Sequence, residues 1–345
     1  MLHGSGRLSS VGEKTELAVC FLCEACCPHR GTVRQRLLWT PPSADDGAMN
    51  APPVLVATDL TQASTAALVQ GRAHAAALGA PLMVCHVVPD VFHQHPLLPN
   101  PSQSELGIEA RVIARAAELT TTQVRDVLGL GPSDVRVVIE TGAVDEEIVR
   151  LGEQEHAQLL VVGGASRDGA DPFVGHVAEQ VVRYAHSSVL VARDARAGVR
   201  EPRLLVTTDF SDHSMKSLEV ASRIAKATGA HVTLLHVSTP PSSVASTAFM
   251  PFGDTWTPPS AAAMAELDAL GLKMLEGLAK QYGFAGFEQV AGDPAEVIVD
   301  RAEALDASLV VLGSRGRKGL ARFVLGSVAE SVIEQCSRSV YVVRS

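Results

Sequence analysis

Residues 54–59 read Val54-Leu-Val-Ala-Thr-Asp59, and residues 204–209 read Leu204-Leu-Val-Thr-Thr-Asp209. Each stretch is a short apolar run that ends in an aspartate, a pattern typical of a buried parallel strand with a polar residue at its carboxyl end. The two stretches lie 150 residues apart. A match at such a distance predicts that the chain contains a duplicated unit.

The duplication extends over the chain from about residue 53 onward, because further matches follow in the same order. They pair His86-Val87 with His236-Val237, Gly142 with Gly292, Leu159–Gly163 with Leu309–Gly313 and, after the loss of one residue from the first copy, Gly175–Glu179 with Gly326–Glu330. We therefore expect two domains, residues 53–194 and 202–345, joined by a short charged linker. Two domains also suit a chain of 345 residues, which is long for one core.

Within each copy, β-branched runs alternate with longer segments of helical period, which predicts an α/β fold with a five-stranded parallel sheet flanked by helices. In the second copy the expected strands are 203–208, 231–237, 286–291, 308–313 and 339–344, and the expected helices are 212–228, 261–282, 294–305 and 327–336. Gly229 fits the end of the first of these helices, and Asp293-Pro294 fits the start of the third. Pro-rich stretches, 89–104 and 240–260, are expected to be loops.

Composition and charge exclude several classes of function. The formal net charge of −9 opposes binding to nucleic acid or anionic membranes. No apolar run reaches the length needed to span a bilayer, so no membrane association is expected. Only Cys85 and Cys336 lie outside the first 27 residues, and we interpret them as small buried hydrophobic residues. A cytoplasmic location follows as an expectation.

Residues 1–48 match neither copy and lack sustained periodicity. They are expected to be disordered, or to reflect a mis-assigned start with translation beginning at Met49. The stretch Cys20-x2-Cys23-x2-Cys26-Cys27-Pro-His29 contains ligand types that zinc or an iron–sulfur cluster uses. It lacks the second half of a folded metal module, so no metal site is predicted.

The most informative stretch for function follows the fourth strand of the second copy. It has the spacing Gly313-x2-Gly316-x9-Gly326-Ser327. Glycines let a backbone approach a phosphate closely, and a helix that opens at Gly326-Ser327 would offer free N–H groups to an anion. Basic side chains add to this character: Arg315, Arg317, Lys318 and Arg322. The simpler alternative is a tight strand-to-helix connection in which glycine serves only the turn.

This spacing resembles the ATP-binding motif of the universal stress protein family, and the resemblance covers nearly all of the chain outside residues 1–48. Asp209, His236-Val237 and Gly292-Asp-Pro294 also fit the family pattern. The resemblance implies flavodoxin-like or Rossmann-like domains of the adenine nucleotide α-hydrolase type, with strand order 3-2-1-4-5. It also implies that the last strands of two domains pair, so 188–193 and 339–344 would form an internal pseudo-dimer, and a homodimer is a further option.

The same resemblance implies ATP or ADP as ligand, with Mg²⁺ as an optional companion. The residues implied are Asp209 and Val237 at the adenine and ribose, and Gly313, Gly316, Gly326 and Ser327 at the phosphates. A simpler interpretation of Asp59 and Asp209 is a helix cap or a polar strand end. His86 and His236 are interpreted as packed or backbone-bonded residues.

The first copy departs from the motif. Gly163 remains, but Ser166 replaces the second glycine, His176 stands in place of the serine, and Asp168 and Asp171 bring negative charge. Since phosphate would meet a Cβ atom and repulsion there, we expect this copy to be a structural partner without nucleotide.

The leading functional prediction is an ATP-binding stress-response regulator or sensor. No catalytic constellation stands out, so the chain is not expected to be an enzyme, beyond slow ATP hydrolysis at most. Two alternatives stay open: an adenine-nucleotide hydrolase or adenylating enzyme on the same fold, and a nucleotide-free interaction scaffold.

Overall fold

A computed structural model of the chain describes residues 18–21, 35–38, 51–89, 103–131, 133–164, 175–193, 202–239, 260–315 and 325–344. The contacts between Cα atoms divide the chain into two compact units. The first unit comprises residues 1–164 and 176–187, and the second comprises residues 165–175 and 188–345.

The first unit is a sheet covered by helices. Its strands are β1 (Ala18–Phe21), β2 (Gln35–Leu38), β3 (Val54–Ala57), β4 (Leu82–Pro89), β5 (Arg136–Gly142) and β6 (Leu159–Gly163). Its helices are α1 (Thr65–Leu78), α2 (Gln103–Leu128), α3 (Val144–Gln154) and α4 (His176–Tyr184), with a 3₁₀ turn at Gln62–Ser64. The strand order is β1-β2-β5-β4-β3-β6, and β3 to β6 run parallel to their neighbours in this group.

The N-terminal segment contributes two strands that sequence reasoning did not foresee. Strand β2 pairs antiparallel with β5, with Leu37 opposite Ile139 and Leu38 opposite Val138, and β1 pairs antiparallel with β2. Each strand is only four residues long, too short for an alternating pattern to stand out in the sequence. The rest of residues 1–48 lies outside the described residues, and the hypothesis of a translation start at Met49 stays a prediction.

The second unit repeats this architecture. Its strands are β7 (Ser188–Ala192), β8 (Arg203–Thr207), β9 (His231–Ser238), β10 (Gly286–Ala291), β11 (Leu309–Gly313) and β12 (Ser339–Val343). Its helices are α5 (Asp212–Thr228), α6 (Ala261–Tyr282), α7 (Pro294–Ala304) and α8 (Ser327–Gln335). The order β12-β11-β8-β9-β10, parallel throughout, is the predicted 3-2-1-4-5 order read from its other edge.

The elements of the second copy begin and end within about two residues of their predicted positions, which is the usual uncertainty of such boundaries. Gly229 adopts the left-handed conformation with φ of 71° after α5, as a C-terminal glycine should. Asp293 caps α7 by accepting hydrogen bonds from the N–H groups of Ala295 and Glu296, and Pro294 opens the helix. These local predictions are confirmed.

The last strand of the first copy, β7, belongs to the second unit, where it pairs antiparallel with β12. Val191 lies opposite Val340 and Val189 opposite Val342. The predicted pairing of the two last strands is therefore present in the structure. It explains why the first unit keeps only four of its five parallel strands.

Arg193, directly after β7, reinforces this pairing at the end of helix α8. Its guanidinium donates to the carbonyl oxygens of Ile333 and Cys336, which the last turn of α8 leaves unsatisfied. Its backbone N–H donates to Ser339 Oγ over 3.1 Å. A cation at this position also complements the negative end of the helix dipole.

The cores consist of the aliphatic strands and the inner faces of the helices. Leu55, Leu160, Leu205 and Leu234 are among the largest fully buried side chains. Both cysteines of the repeats are free and buried, which confirms their interpretation as core residues. Burial raises the pKa of the Cys85 thiol to about 12, with the nearby Glu140 adding to the shift, so this thiol stays protonated and unreactive.

Candidate functional site

The candidate site lies at the carboxyl edge of the second sheet, where β11, β8 and β9 are neighbours. Asp209 follows β8 by two residues, Val237 lies near the end of β9, and Gly313 ends β11. In the sheet, β9 lies on one side of β8 and β11 lies on its other side, so the order of the strands along the chain reverses at β8. Such a switch point is where open α/β sheets bind ligands, so the fold places these three predicted residues at one edge.

Asp209 organises the turn that leads from β8 into α5. Its Oδ1 accepts hydrogen bonds from the backbone N–H of Ser211 over 3.0 Å and from Ser211 Oγ over 2.5 Å. Ser211, in turn, caps α5 by accepting from the N–H of Ser214. The alternative interpretation of Asp209 as a helix cap is therefore wrong. Ser211 is the N-cap of α5, and Asp209 accepts hydrogen bonds from Ser211.

A buried hydroxyl network lies beneath this turn. Thr208 Oγ1 lies 3.0 Å from Ser214 Oγ and accepts a hydrogen bond from the N–H of Phe210 over 3.0 Å. Phe210 has a φ of 62°, an uncommon conformation for a bulky residue. Sequence reasoning missed this network, although the repeated Thr-Asp dipeptide was a signal for it.

The first copy contains the same network, since Thr58 Oγ1 lies 2.8 Å from Ser64 Oγ and Leu60 has a φ of 66°. In the first copy a side chain from helix α2, Gln123, joins this network. Gln123 accepts a hydrogen bond from Thr58 Oγ1 at its Oε1 over 2.6 Å, and its Nε2 donates to the carbonyl oxygen of Thr61 over 3.2 Å. The turn of the first copy is thus held by an additional residue.

His236 serves the backbone, as predicted. Its Nδ1 lies 2.8 Å from the carbonyl oxygen of Thr208, and its ring centroid lies 4.4 Å from that of Phe210. Because a carbonyl only accepts, Nδ1 carries the proton in this contact. His86 makes the equivalent bond to Thr58 over 2.8 Å, so the prediction of backbone-bonded histidines is confirmed.

The glycine-rich loop begins where β11 comes close to α5. A Cβ atom added to Gly313 would lie 3.3 Å from the carbonyl oxygen of Arg315 and 3.4 Å from that of His213. Contacts this short with backbone atoms leave little room for a side chain. Gly313 therefore has a packing role whether or not a ligand binds nearby.

The far end of the loop returns to its start. The N–H of Gly326 donates to the carbonyl oxygen of Ser314 over 2.8 Å, and α8 begins at the next residue, Ser327. Gly326 is the N-cap of α8 and provides no side-chain cap, so the first turn of this helix lacks the usual side-chain acceptor. Gly316 lies outside the described residues.

Ser217 on α5 is fully buried beside the end of β11. Its hydroxyl has no hydrogen-bond partner among the residues that the structure describes, and it would lie 3.6 Å from a Cβ atom on Gly313. A buried hydroxyl without a partner costs stability. The first copy has Ala67 at the matching position, 150 residues earlier.

In the described ranges, no three His, Cys, Asp or Glu side chains come together in a way that could hold a metal ion.

Within the same part of the chain, none of the helices has both the length and the apolarity that crossing a membrane requires.

Both halves of the chain match one family model, described as the universal stress protein family, over residues 51–193 and 202–344. The match covers most of the chain and occurs once in each sequence repeat. The chain therefore belongs to the universal stress protein family, as a member with two such domains.

Similar proteins support this membership. A universal stress protein of Methanocaldococcus jannaschii is 34% identical over 143 residues, covering 41% of this chain and 81% of that protein. One of Mycolicibacterium smegmatis is 26% identical over 298 residues, covering 84% of this chain and 96% of that protein. The crystal structure of one from Archaeoglobus fulgidus superimposes with a TM-score of 0.58 at 20% identity, covering 85% of this chain and 98% of that chain. That similarity establishes a shared fold.

Proposed function

We propose that the second copy binds ATP or ADP, and that the chain is a stress-response regulator or sensor whose nucleotide occupancy alters its contacts with protein partners. The binding residues of this proposal are Asp209 and Val237 for the adenine and ribose, and Gly313, Gly316, Gly326 and Ser327 for the phosphates. The first copy acts as a structural half without nucleotide.

The observation that carries the proposal is the start of helix α8. The bond between Gly326 and Ser314 brings this helix start back to the end of β11, and the missing side-chain cap leaves the first turn suited to an anion. Ser327 is exposed there and offers a hydroxyl. Phosphate oxygens are strong acceptors that satisfy such donors.

Mg²⁺ fits this site only as a companion of the nucleotide. The described residues contain no metal-binding cluster, and Asp209 Oδ1 already accepts two hydrogen bonds. An Mg²⁺ ion would therefore be held mainly by phosphate oxygens and water, as Mg²⁺ commonly is in nucleotide sites.

The proposal includes no catalytic residue and no turnover beyond slow hydrolysis. It also places the protein in the cytoplasm, since a reducing compartment suits the free thiols of Cys85 and Cys336.

The test compares matched glycines at the starts of α8 and α4. Gly326→Val places a branched side chain beside the proposed phosphate position. Gly175→Val makes the equivalent change in the first copy, where an added Cβ would meet no atom of the described residues within 4 Å. We expect Gly326→Val to weaken ATP binding at least about tenfold in titration calorimetry, the loss that follows from a displaced charge-assisted bond.

Gly175→Val should leave the affinity unchanged. Unchanged affinity in a folded Gly326→Val variant would contradict the proposal. Release of AMP and pyrophosphate during the titration would instead favour the enzyme alternative, and no binding by the wild-type chain would favour the scaffold.

A further inference from the structure

In the first copy, helix α2 sends one side chain into the turn between β3 and α1. Gln123 Oε1 accepts a hydrogen bond from Thr58 Oγ1 over 2.6 Å. Its Nε2 donates to the carbonyl oxygen of Thr61 over 3.2 Å and to Ser64 Oγ over 3.2 Å. The amide of Gln123 therefore fills the space beside this turn.

The matching place on helix α6 of the second copy belongs to Met274. Gln123 directly precedes the buried Val124, and Met274 directly precedes the buried Leu275. In both helices two exposed residues and one half-buried residue follow, and the next buried residue comes four positions later. Gln123 and Met274 therefore lie on the same flank of their helices relative to the sheet.

The position of Met274 along α6 is close to the level of the turn that contains Asp209. Helices α5 and α6 lie side by side where Ser222 Oγ donates to the carbonyl oxygen of Tyr282 over 3.1 Å. Both helices return from the carboxyl edge of parallel strands, so they run in the same direction. At a rise of about 1.5 Å per residue, Ser211 lies about 16 Å before Ser222, and Met274 lies about 12 Å before Tyr282.

The turn of the second copy is held together without a side chain from α6. Ser214 Oγ donates to the carbonyl oxygen of Ser211 over 2.8 Å, and Thr208 Oγ1 lies 3.0 Å from Ser214 Oγ. Met274 is 51% exposed, and a thioether has no proton to donate. The flank of α6 beside this turn is therefore open to another group.

The open flank is apolar beyond Met274 as well. Leu267 lies seven residues before Met274 on the same flank, and it is 58% exposed. Its counterpart in the first copy, Ala116, lies seven residues before Gln123 and is 6% exposed. The flank that is covered in the first copy is thus an exposed apolar surface in the second.

The occupant that fits this place is the base of a nucleotide. A purine ring is flat and has apolar faces, whereas the ribose and phosphates attached to it are polar. Ligand sites commonly combine an apolar wall with a few polar groups, and here Met274 would supply the wall beside Asp209. The unbranched thioether chain of methionine adapts to the shape of a ring, and its sulfur makes favourable contacts with aromatic groups.

We propose that Met274 is the apolar contact for the base of a nucleotide bound to the second copy, and that Gln123 closes the matching place in the first copy. This inference rests on the proposed nucleotide site and adds to it a residue outside the glycine-rich motif. It also gives a second reason, besides the altered loop, for the first copy to remain empty.

The test transfers the side chain of the first copy to the second. In Met274→Gln, the groups that Gln123 contacts have counterparts at Thr208, Ser211 and Ser214. We expect the ATP affinity of the full chain in titration calorimetry to fall at least about tenfold, because the new amide bonds to the turn and occupies the place of the base. Met274→Leu keeps an apolar side chain of similar volume, so its affinity should stay within about threefold of the wild type.

Leu272→Gln is the matched control. Leu272 is 48% exposed on the same helix, but it lies two residues from Met274 and so on a different flank. This variant should bind ATP as the wild-type chain does. Thermal unfolding without ATP supplies a second measurement, in which Met274→Gln should be at least as stable as the wild type, because the amide gains hydrogen bonds.

Three results would overturn this inference alone. One is an unchanged ATP affinity in Met274→Gln, and another is an equal loss of affinity in Leu272→Gln. The third is a loss in Met274→Gln together with a lower melting temperature without ATP, which would mean that Met274 supports the fold. Failure of the proposed function differs from all three, because the wild-type chain would then bind no ATP, and this inference would be wrong with it.

Discussion

The aspartate after the first strand of each copy is first of all a structural residue. Asp59 Oδ1 accepts hydrogen bonds from the N–H of Thr61 over 2.9 Å and from Thr61 Oγ1 over 2.7 Å. Burial by itself would raise the pKa of Asp59, but these bonds and one from Ser64 outweigh it, so the pKa lies below the usual 3.8. The ionised carboxylate therefore stabilises the folded first unit.

This shift predicts how the first unit responds to acid. Because the folded-state pKa of Asp59 is lowered, its stabilisation is complete above the unfolded-state pKa and is lost as the pH falls through the folded-state value. Asp59→Asn should lower stability at neutral pH by up to about 1 kcal/mol, a small effect because the group is exposed. Chemical denaturation at neutral and acidic pH measures it.

The difference between Asp59→Asn and the wild-type chain should vanish in acid. Asp126→Asn, at an exposed position on α2, serves as control. A difference that persists below the folded-state pKa would show that the charge of Asp59 is not its cause.

Replacement of Ser217 is expected to raise stability, whereas replacement of Asp59 is expected to lower it. The Ser217 hydroxyl is fully buried and finds no partner in the described part of the chain, so Ser217→Ala should stabilise the second unit by about 1 kcal/mol by removing an unsatisfied group. Thermal unfolding with and without ATP measures this. Ser222→Ala is the control, since Ser222 Oγ donates to the carbonyl oxygen of Tyr282 over 3.1 Å and its loss should destabilise. A destabilised Ser217→Ala variant would contradict the assignment.

Single residues were predictable from the sequence only where their type restricts their role. Gly229 and Asp293 were placed correctly, because a left-handed C-terminus and an N-cap each select few residue types. Phe210 was not foreseen, because a bulky residue rarely adopts the left-handed conformation, which the local hydrogen bond from its N–H to Thr208 Oγ1 accompanies here. The roles of the six predicted site residues in nucleotide binding stay predictions.

At the scale of the elements, the helices and strands of both copies followed from hydrophobic period, and the order of strands followed from the family resemblance. Strands β1 and β2 did not, because β2 pairs with β5, an edge strand far along the chain, and β1 pairs only with β2 within the described sheet. The two matching strands β5 and β10 differ in a side chain. Val138 of β5 is fully buried, whereas Glu288, its counterpart in β10, forms an ion pair with Arg301 over 2.6 Å. A charged residue protects an uncovered edge.

Helix α8 depends on Arg193 for its C-terminal cap. Arg193→Ala should destabilise the second unit by roughly 1–2 kcal/mol, because two carbonyl oxygens lose their donor and the helix dipole loses its cation. Arg193→Lys should recover only part of this loss, since an ammonium group lacks the planar fork that reaches both carbonyls. Urea denaturation of the full chain measures both variants. Equal stability of Arg193→Ala and the wild-type chain would contradict the capping role.

At the scale of the whole molecule, the boundary between sequence repeats differs from the boundary between folded units. The linker at 194–202 separates the repeats, but strand β7 before it belongs to the second unit. A fragment of residues 188–345 should therefore be more stable and less prone to aggregate than one of residues 202–345, which exposes the β12 edge. Thermal unfolding and light scattering of the two fragments test this. Equal behaviour would mean that β7 adds nothing to the second unit.

The central claim for the whole molecule is that one of its two similar domains carries a nucleotide. Denaturing extraction of the freshly purified full chain, with chromatography of the released nucleotide and titration of the emptied protein with ATP, decides whether this is so. We expect one adenine nucleotide per wild-type chain, retained in Gly175→Val and lost in Gly326→Val. Two nucleotides per chain would contradict the assignment of the first domain as the empty half, and none before or after titration would contradict nucleotide binding altogether.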